Sequence, residues 1–323
     1  MGRNGYWPLQ TADISVVIPT RNRAAWLPTC LAHLEQQTYP AAGYEVLVVD
    51  DGSTDETVSV IERFAAGSPV CVRLFAQARQ GLAAARNLGV REAAGEILLF
   101  LCDDELASPR LLERHLAARR STGADACIMG EVRRHPQLPP NSFTRLALER
   151  PPESERAGGP GHFLDWHRSN FSIPRAAVLD AGGFETEAGF EHVEVLELAF
   201  RLEREGVEPL YLDDARAYVW QPTSLAAERG RQYQLGYGLQ RLQHRTRASR
   251  IPEKFRLRPT RLEQFMGALT IPYYARACHR HEVEAGMLVS RLHKRVLYHD
   301  RVSGYQDACQ DRPARPPTPP GAG

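Results

Sequence analysis

Ile97-Leu98-Leu99-Phe100-Leu101-Cys102-Asp103-Asp104-Glu105 passes from five apolar residues straight into an acidic cluster. The apolar run reads as a buried strand, which puts the acids at its carboxyl end. Ionised carboxylates beside an apolar layer carry a desolvation cost, and close like charges raise it, so the cluster asks for a divalent cation or a ring of hydrogen-bond donors. Hard oxygen ligands favour Mg²⁺ or Mn²⁺. Taken alone, the same residues are also compatible with an acidic turn whose aspartate caps a helix beginning near Pro109.

Upstream, short apolar runs alternate with helical patterns. Strands are predicted over Ile14–Ile18, Tyr44–Val49, Val70–Phe75 and Ile97–Leu101, and helices over Ala24–Gln37, Thr54–Ala66 and Leu82–Ala93. Such alternation implies βαβ units and a mainly parallel sheet, whose ligands gather beyond the carboxyl ends of the strands. Three polar segments fall there: Pro19-Thr20-Arg21-Asn22-Arg23, Asp50-Asp51-Gly52-Ser53-Thr54-Asp55 and the acidic cluster itself. In the second, Gly52 lets the backbone bend, Ser53 is placed to cap the next helix, and the carboxylates can accept from a base N–H or a ribose hydroxyl. Asp-Gly turns are also common as purely structural features. The segment Gln80–Asn87 adds small residues that permit close backbone approach, with Arg86 able to meet a diphosphate or a base carbonyl.

Together, Ser15–Arg23, Val48–Asp55, Gly81–Asn87 and Leu99–Asp104 resemble glycosyltransferase family 2, and the likeness continues through Asn170–Arg175, Gly182-Gly183-Phe184 and Glu194–Leu202, covering about residues 13 to 240. The resemblance implies a GT-A fold: an α/β, Rossmann-like mixed and mainly parallel sheet flanked by helices, followed here by a helical C-terminal extension. It also implies inverting transfer of a sugar from a nucleoside diphosphate sugar, with Mg²⁺ or Mn²⁺ on the diphosphate and a carboxylate base on the acceptor hydroxyl. Nucleotide contacts are implied at Pro19, Thr20, Arg21, Asp50, Asp51, Ser53, Gly81, Arg86 and Asp103. The metal is implied at Asp104, with Asp103.

Three positions depart from the family pattern. Cys102 stands where many relatives carry an aspartate. Val195 follows Glu194 where the family has a Glu-Asp pair, so the usual base is missing; Glu194 is the first substitute, with Glu191 one turn before it. Glu197 reads as a solvated helix face, and a lone histidine such as His192 is more often a surface or packing residue than a catalyst. Gln221 lies in a segment where relatives often place a metal-binding histidine, and an amide is the poorer ligand.

Composition sets the remaining limits. The chain has 323 residues, a net charge of +1 and six cysteines with no Cys-x-x-Cys spacing, which signals neither nucleic acid nor a zinc or disulfide framework. The N-terminus has no basic start or apolar core of a signal peptide, and no apolar stretch reaches membrane-spanning length, so the expected location is cytoplasmic. The expected organisation is a lead over 1–12, a catalytic domain over 13–223, a basic helical extension over 224–310 and a disordered tail over 311–323. Within the catalytic domain, 13–105 form the nucleotide-binding half and 106–223 the acceptor half, with a mobile Pro/Gly-rich insertion at about 133–166. Between Glu228 and Arg261 ten Arg or Lys face two acids, which suits a solvated helix face, a peripheral contact with the anionic inner face of a membrane, or an acidic acceptor. Apolar positions around Phe265–Ile271 are candidates for packing on the domain or on a second subunit of a homo-oligomer.

The expected partners are a nucleotide-sugar donor and a glycan, lipid-linked or small-molecule acceptor carrying a hydroxyl. The contrasting expectation is a catalytically silent nucleotide-sugar-binding or scaffold protein that kept the fold after losing its base.

Overall fold

The computed structural model describes residues 12–122, 126–138, 163–166, 169–190, 192–221, 224–259, 287–310 and 312–314. Glu191, the Phe265–Ile271 segment and most of the 133–166 insertion and of the 311–323 tail lie outside the described residues. The chain divides into two compact units: Met1–Arg133, Pro152–Glu185 and Leu198–Gln221 in the first, Arg134–Pro151, Thr186–Glu197 and Pro222–Gly323 in the second.

The first unit is built on an eight-stranded sheet of order β3-β2-β1-β4-β7-β6-β8-β5. Its strands are β1 (Ile14–Thr20), β2 (Tyr44–Asp51), β3 (Cys71–Gln77), β4 (Ile97–Phe100), β5 (Glu105–Ala107), β6 (Cys127–Arg134), β7 (Phe171–Pro174) and β8 (Pro209–Val219). β3, β2, β1 and β4 run parallel, whereas β7 is antiparallel to both β4 and β6, and β5 to β8. Every residue of β1 and β2 is buried, as expected of parallel strands covered on both faces. On one face Ile14, Val16, Ile18, Val46, Val48 and Leu99 pack with Leu27, Leu31 and Leu34 of helix α1 (Leu27–Glu35) and Ile61 of α2 (Thr57–Gly67). On the other lies α3 (Leu82–Glu92), whose Gly89 sits so near β1 that a β-carbon there would come within 2.4 Å of Val17 Cγ1.

The predicted strands and helices of the first hundred residues all form. One local expectation fails: Ser53 does not cap α2, whose N-cap is Glu56 and carries no side-chain capping bond. Ser53 instead joins two loops, donating its backbone N–H and hydroxyl to Asp50 and accepting the Asn22 N–H at 2.8 Å. Asn22 adopts φ 54°, a left-handed conformation that asparagine tolerates better than most residues, and its side chain returns the bond by accepting the Thr54 N–H at 2.8 Å.

Beyond β5 come α4 (Leu111–Thr122), α5 (Arg175–Asp180) and α6 (Glu194–Arg204). α5 closes on the expected glycine pair, both at positive φ (84° and 79°), with Gly183 N–H returning to Val178 O. In the second unit α7 (Leu225–Thr246), the short α8 (Arg250–Lys254) and α9 (Met287–Cys309) follow. Gly236 and Gly304 let α7 and α9 touch backbone to backbone: a β-carbon on either would come within 1.8 Å of Arg301 O or 2.0 Å of Tyr233 O. The pair is further tied by Arg229, whose guanidinium grips the buried Asp300 carboxylate through two nitrogens at 2.8 and 3.1 Å.

Candidate active site

β1 has β2 on one side and β4 on the other, so the strand order reverses at β1, the kind of switch point beyond whose carboxyl ends open α/β sheets bind ligands. Thr20 and Asp103 meet there. The Thr20 hydroxyl donates to Asp103 Oδ2 at 2.9 Å, and Arg23 Nε donates to the same oxygen at 3.3 Å. Arg23 Nη1 also donates to the Gln221 side-chain oxygen, so one guanidinium joins polar groups from the ends of β1, β4 and β8. Its backbone is fixed too, the Arg23 N–H donating to the Thr57 hydroxyl at 2.8 Å.

The three acids of the cluster divide by environment. Asp103 is buried, and that burial pushes its carboxyl up to about 6 against the opposing pull of Arg23. Asp104 is half-buried, its carbonyl accepting the Trp220 N–H at 2.8 Å, and its carboxylate has no hydrogen-bond partner among the described residues. Glu105 is a structural acid: buried on β5, it accepts the Ser169 hydroxyl and, at 3.0 Å, the Cys102 N–H. Burial raises the thiols of Cys102 and Cys30 well above their usual range, and Cys30 donates to the Asp103 carbonyl at 2.9 Å. Among the described residues no three His, Cys, Asp or Glu side chains cluster as a metal cage. One unbonded carboxylate beside a second, already paired one fits a hard cation whose remaining ligands come from substrate phosphates and water.

The two aspartates after β2 brace their own loops. Asp51 accepts from Gln77 Nε2 at 2.8 Å and from the N–H groups of Gln80 and Gly81 at 2.7 and 2.8 Å. These bonds hold the loop ahead of α3, where Gly81 takes φ 95°, a conformation that disfavours any side chain. Asp50 is 2 % exposed and bonded to Ser53. Arg21 reaches the Gly52 carbonyl at 3.5 Å, and Pro19 is buried at register with Val49.

Arg86 is 1 % exposed. Its guanidinium lies 5.4 Å from the Phe184 ring centroid, and its charge bears on Cys102. Asn87, next to it, exchanges two bonds with the Phe184 backbone at 2.7 and 2.8 Å. The first unit therefore brings together Thr20, Asp103 and Asp104 with Arg23 and Gln221 at the strand ends, and keeps Arg86 buried near Cys102 and Phe184. Arg23 was visible in the first polar motif without an assigned role. Its partners are 80 and 198 residues away in sequence, a separation no local pattern reveals.

Glu194 opens α6 and belongs to the second unit, where it is 3 % exposed. Glu197, read from sequence as a solvated position, is also 3 % exposed and faces Arg245 Nη1 at 3.8 Å. Arg245 in turn pairs with Glu187 and stacks 4.2 Å from the Phe190 ring centroid. Part of the basic stretch is thus engaged in internal ion pairs, with Arg229 on Asp300 and Arg231 on Glu228.

Residues 15–173 match the family model for glycosyl transferase family 2. Glycosyltransferase AglE of Haloferax volcanii is 39% identical over 112 residues, 35% of this chain and 37% of that protein. Validoxylamine A glucosyltransferase of Streptomyces hygroscopicus subsp. jinggangensis is 31% identical over 221 residues, 60% of this chain and 52% of the relative. The chain thus spans between about a third and a half of the length of these curated relatives. Among solved structures, mannosyltransferase PcManGT from Pyrobaculum calidifontis, in complex with GDP-Man and Mn²⁺, superposes with a TM-score of 0.64 at 20% identity, covering 93% of this chain and 88% of that one. S. aureus TarS 1-349 in complex with UDP gives 0.54 at 17% identity, covering 94% and 93%. At these identities the two structures establish the shared fold.

Proposed function

Residues 15–173 form a glycosyltransferase family 2 domain in a GT-A fold, and from this premise we propose that the protein is an inverting glycosyltransferase, moving a sugar from a nucleoside diphosphate sugar to a hydroxyl acceptor. The observation that carries the proposal is the switch point at the ends of β1 and β4, where Thr20, Asp103 and Arg23 are hydrogen-bonded together beside the Asp104 carboxylate, which is unbonded among the described residues. A polar rim at a sheet's switch point, with a cation and an available carboxylate, suits a diphosphate. The GDP-Man complex of PcManGT and the UDP complex of TarS support a nucleotide-sugar substrate.

Asp104, with Asp103, would hold Mg²⁺ or Mn²⁺. When bound, such an ion neutralises charge on the departing diphosphate. Thr20 and Arg23 keep the Asp103 carboxylate oriented, and the loops anchored by Asp51 and Asp50 shape the nucleotide pocket, with Arg21, Ser53 and Gly81 on its border. Glu194 is assigned as the general base that takes the acceptor's proton, with Glu191 second. The domain division proposed is 13–223 catalytic and 224–310 extension. The acceptor is a glycan, a lipid-linked sugar or a small molecule. Among the described residues no helix is long and apolar enough to cross a membrane; contact with anionic lipid and self-association complete the proposal and are testable by vesicle pelleting and sedimentation.

The primary test is thermal stabilisation by UDP-, GDP- and dTDP-sugars with and without Mn²⁺, followed by release of nucleoside diphosphate when an acceptor panel is supplied. A metal-dependent shift with one donor and metal-dependent turnover are expected, both lost in Asp104→Ala. Unchanged turnover in Asp104→Ala would defeat the proposal, and donor binding with no turnover on any acceptor would leave a nucleotide-sugar-binding protein.

A further inference from the structure

Arg23 places a permanent positive charge at the ends of β1 and β4, ion-paired with Asp103 at 3.3 Å. Its guanidinium uses Nε for Asp103 and one N–H of Nη1 for Gln221, which leaves three of its five N–H groups beyond these bonds. The side chain is 32% exposed, so the guanidinium is within reach of a ligand at the ends of β1 and β4. Both anchors and the backbone bond to Thr57 fix the fork before any ligand arrives, and a pre-organised planar fork is well suited to a diphosphate. The acidic cluster, by contrast, offers a metal Asp104, unbonded among the described residues, and the already paired Asp103.

We propose that Arg23, held between Asp103 and Gln221, is a resident cation for the donor diphosphate, so that donor binding has a substantial component independent of divalent metal. The proposal rests on the donor-site reading of these strand ends and assigns their charge recognition. Gln221 serves it by accepting from the guanidinium: an amide oxygen holds the arginine in place without adding a second negative charge to that of Asp103, which is already paired with it.

Isothermal titration of the full-length protein tests this with UDP, GDP, UMP and GMP as probes, each in EDTA and in Mn²⁺. The wild type is expected to bind one nucleoside diphosphate in EDTA within about tenfold of its affinity in Mn²⁺. Arg23→Ala should lose roughly tenfold or more in EDTA for that diphosphate while keeping its affinity for the matching monophosphate to within a factor of about three. Arg23→Lys should restore part of the loss, because the charge returns without the fork. Gln221→Ala should fall between wild type and Arg23→Ala. Thermal unfolding of each variant reports whether it is folded, and the monophosphate arm controls for a general collapse of the pocket. Wild-type diphosphate binding that vanishes in EDTA, or equal losses of mono- and diphosphate in Arg23→Ala, overturns the proposal while leaving the donor site standing. Failure of the wild type to bind any of the probes under either condition overturns the donor-site reading, and this inference with it.

Discussion

The hydroxyl of Thr20 and the carboxylate of Asp103 are hydrogen-bonded at 2.9 Å across 83 residues of sequence, coupling the ends of β1 and β4 at the point where strand order reverses. Replacing Thr20 with the near-isosteric Val removes the donor and leaves a buried carboxylate with one partner fewer. Hydrogen bonds to charged groups contribute about 1.5–3 kcal/mol, so urea unfolding of Thr20→Val should show a destabilisation of roughly 2 kcal/mol. A change below about 0.5 kcal/mol would show that Arg23 alone satisfies Asp103.

Asp51→Asn keeps the shape but turns an NH₂ group toward an N–H donor of the loop before α3, where the carboxylate accepts three bonds. The expected cost is about 1–3 kcal/mol, accompanied by faster hydrogen exchange at Gln80 and Gly81. Unaltered exchange at those amides would mean the loop is held by other contacts.

His115, at 0 % exposure, lies between the Ser172 hydroxyl at 2.9 Å and the Asn170 side chain at 3.1 Å. Burial lowers its imidazole from 6.5 to about 4, helped by the Arg119 charge and opposed by the Asn170 bond. Well above pH 6.5, the ordinary imidazole value, both states are neutral and the stability is complete. As pH falls from there toward 4 the unfolded chain takes up a proton that the folded chain refuses, so stability declines, by about 3 kcal/mol in all, and this component then levels off. Denaturation of wild type and His115→Gln across pH 7 to 4 isolates the component. A constant difference between the two proteins over that range would refute it.

In the helical pair of the second unit, Gly236→Ala and Gly304→Ala push a methyl group into backbone carbonyls. Each should cost about 1–3 kcal/mol or more and expose α9 to limited proteolysis. Gly230 on α7 has open space around it, so Gly230→Ala is the matched control and should stabilise by up to about 1 kcal/mol.

Glu194→Gln separates base chemistry from donor binding. Loss of a general base typically lowers turnover by about 10²–10⁴-fold, and nucleotide affinity should be unaffected. If turnover falls by less than about tenfold, the base is another group, and Glu191→Gln becomes the deciding variant.

The parallel half of the sheet was legible in the sequence because β1, β2 and β4 contain apolar runs that are buried almost throughout, and the helices between the strands begin and end near visible turn residues. The antiparallel half was not. β5 is three residues long and begins on Glu105, which looked like a member of the acidic cluster. β8 carries the exposed Asp213 and Asp214 and the half-buried Arg216, so its polar content hides a strand that tertiary pairing creates. The site showed the same split. Thr20, Asp103 and Asp104 could be named from local motifs, whereas the acids' separate fates depended on distant partners: Arg23 for one, Ser169 for another. Glu197 was misread because its cation, Arg245, lies on a helix 48 residues further on.

The register of β5 against β8, Glu105 opposite Val219, has a consequence for biosynthesis. The four parallel strands can assemble once residue 100 is available, but the strand that directly follows the acidic cluster finds its partner only after more than a hundred further residues have been made. Long-range pairings of this kind form late and slowly. A nascent chain would therefore hold the parallel half of its sheet before Asp103 and Asp104 are fixed, and ligands that need those two carboxylates in place should begin to protect the chain only when β8 has left the ribosome.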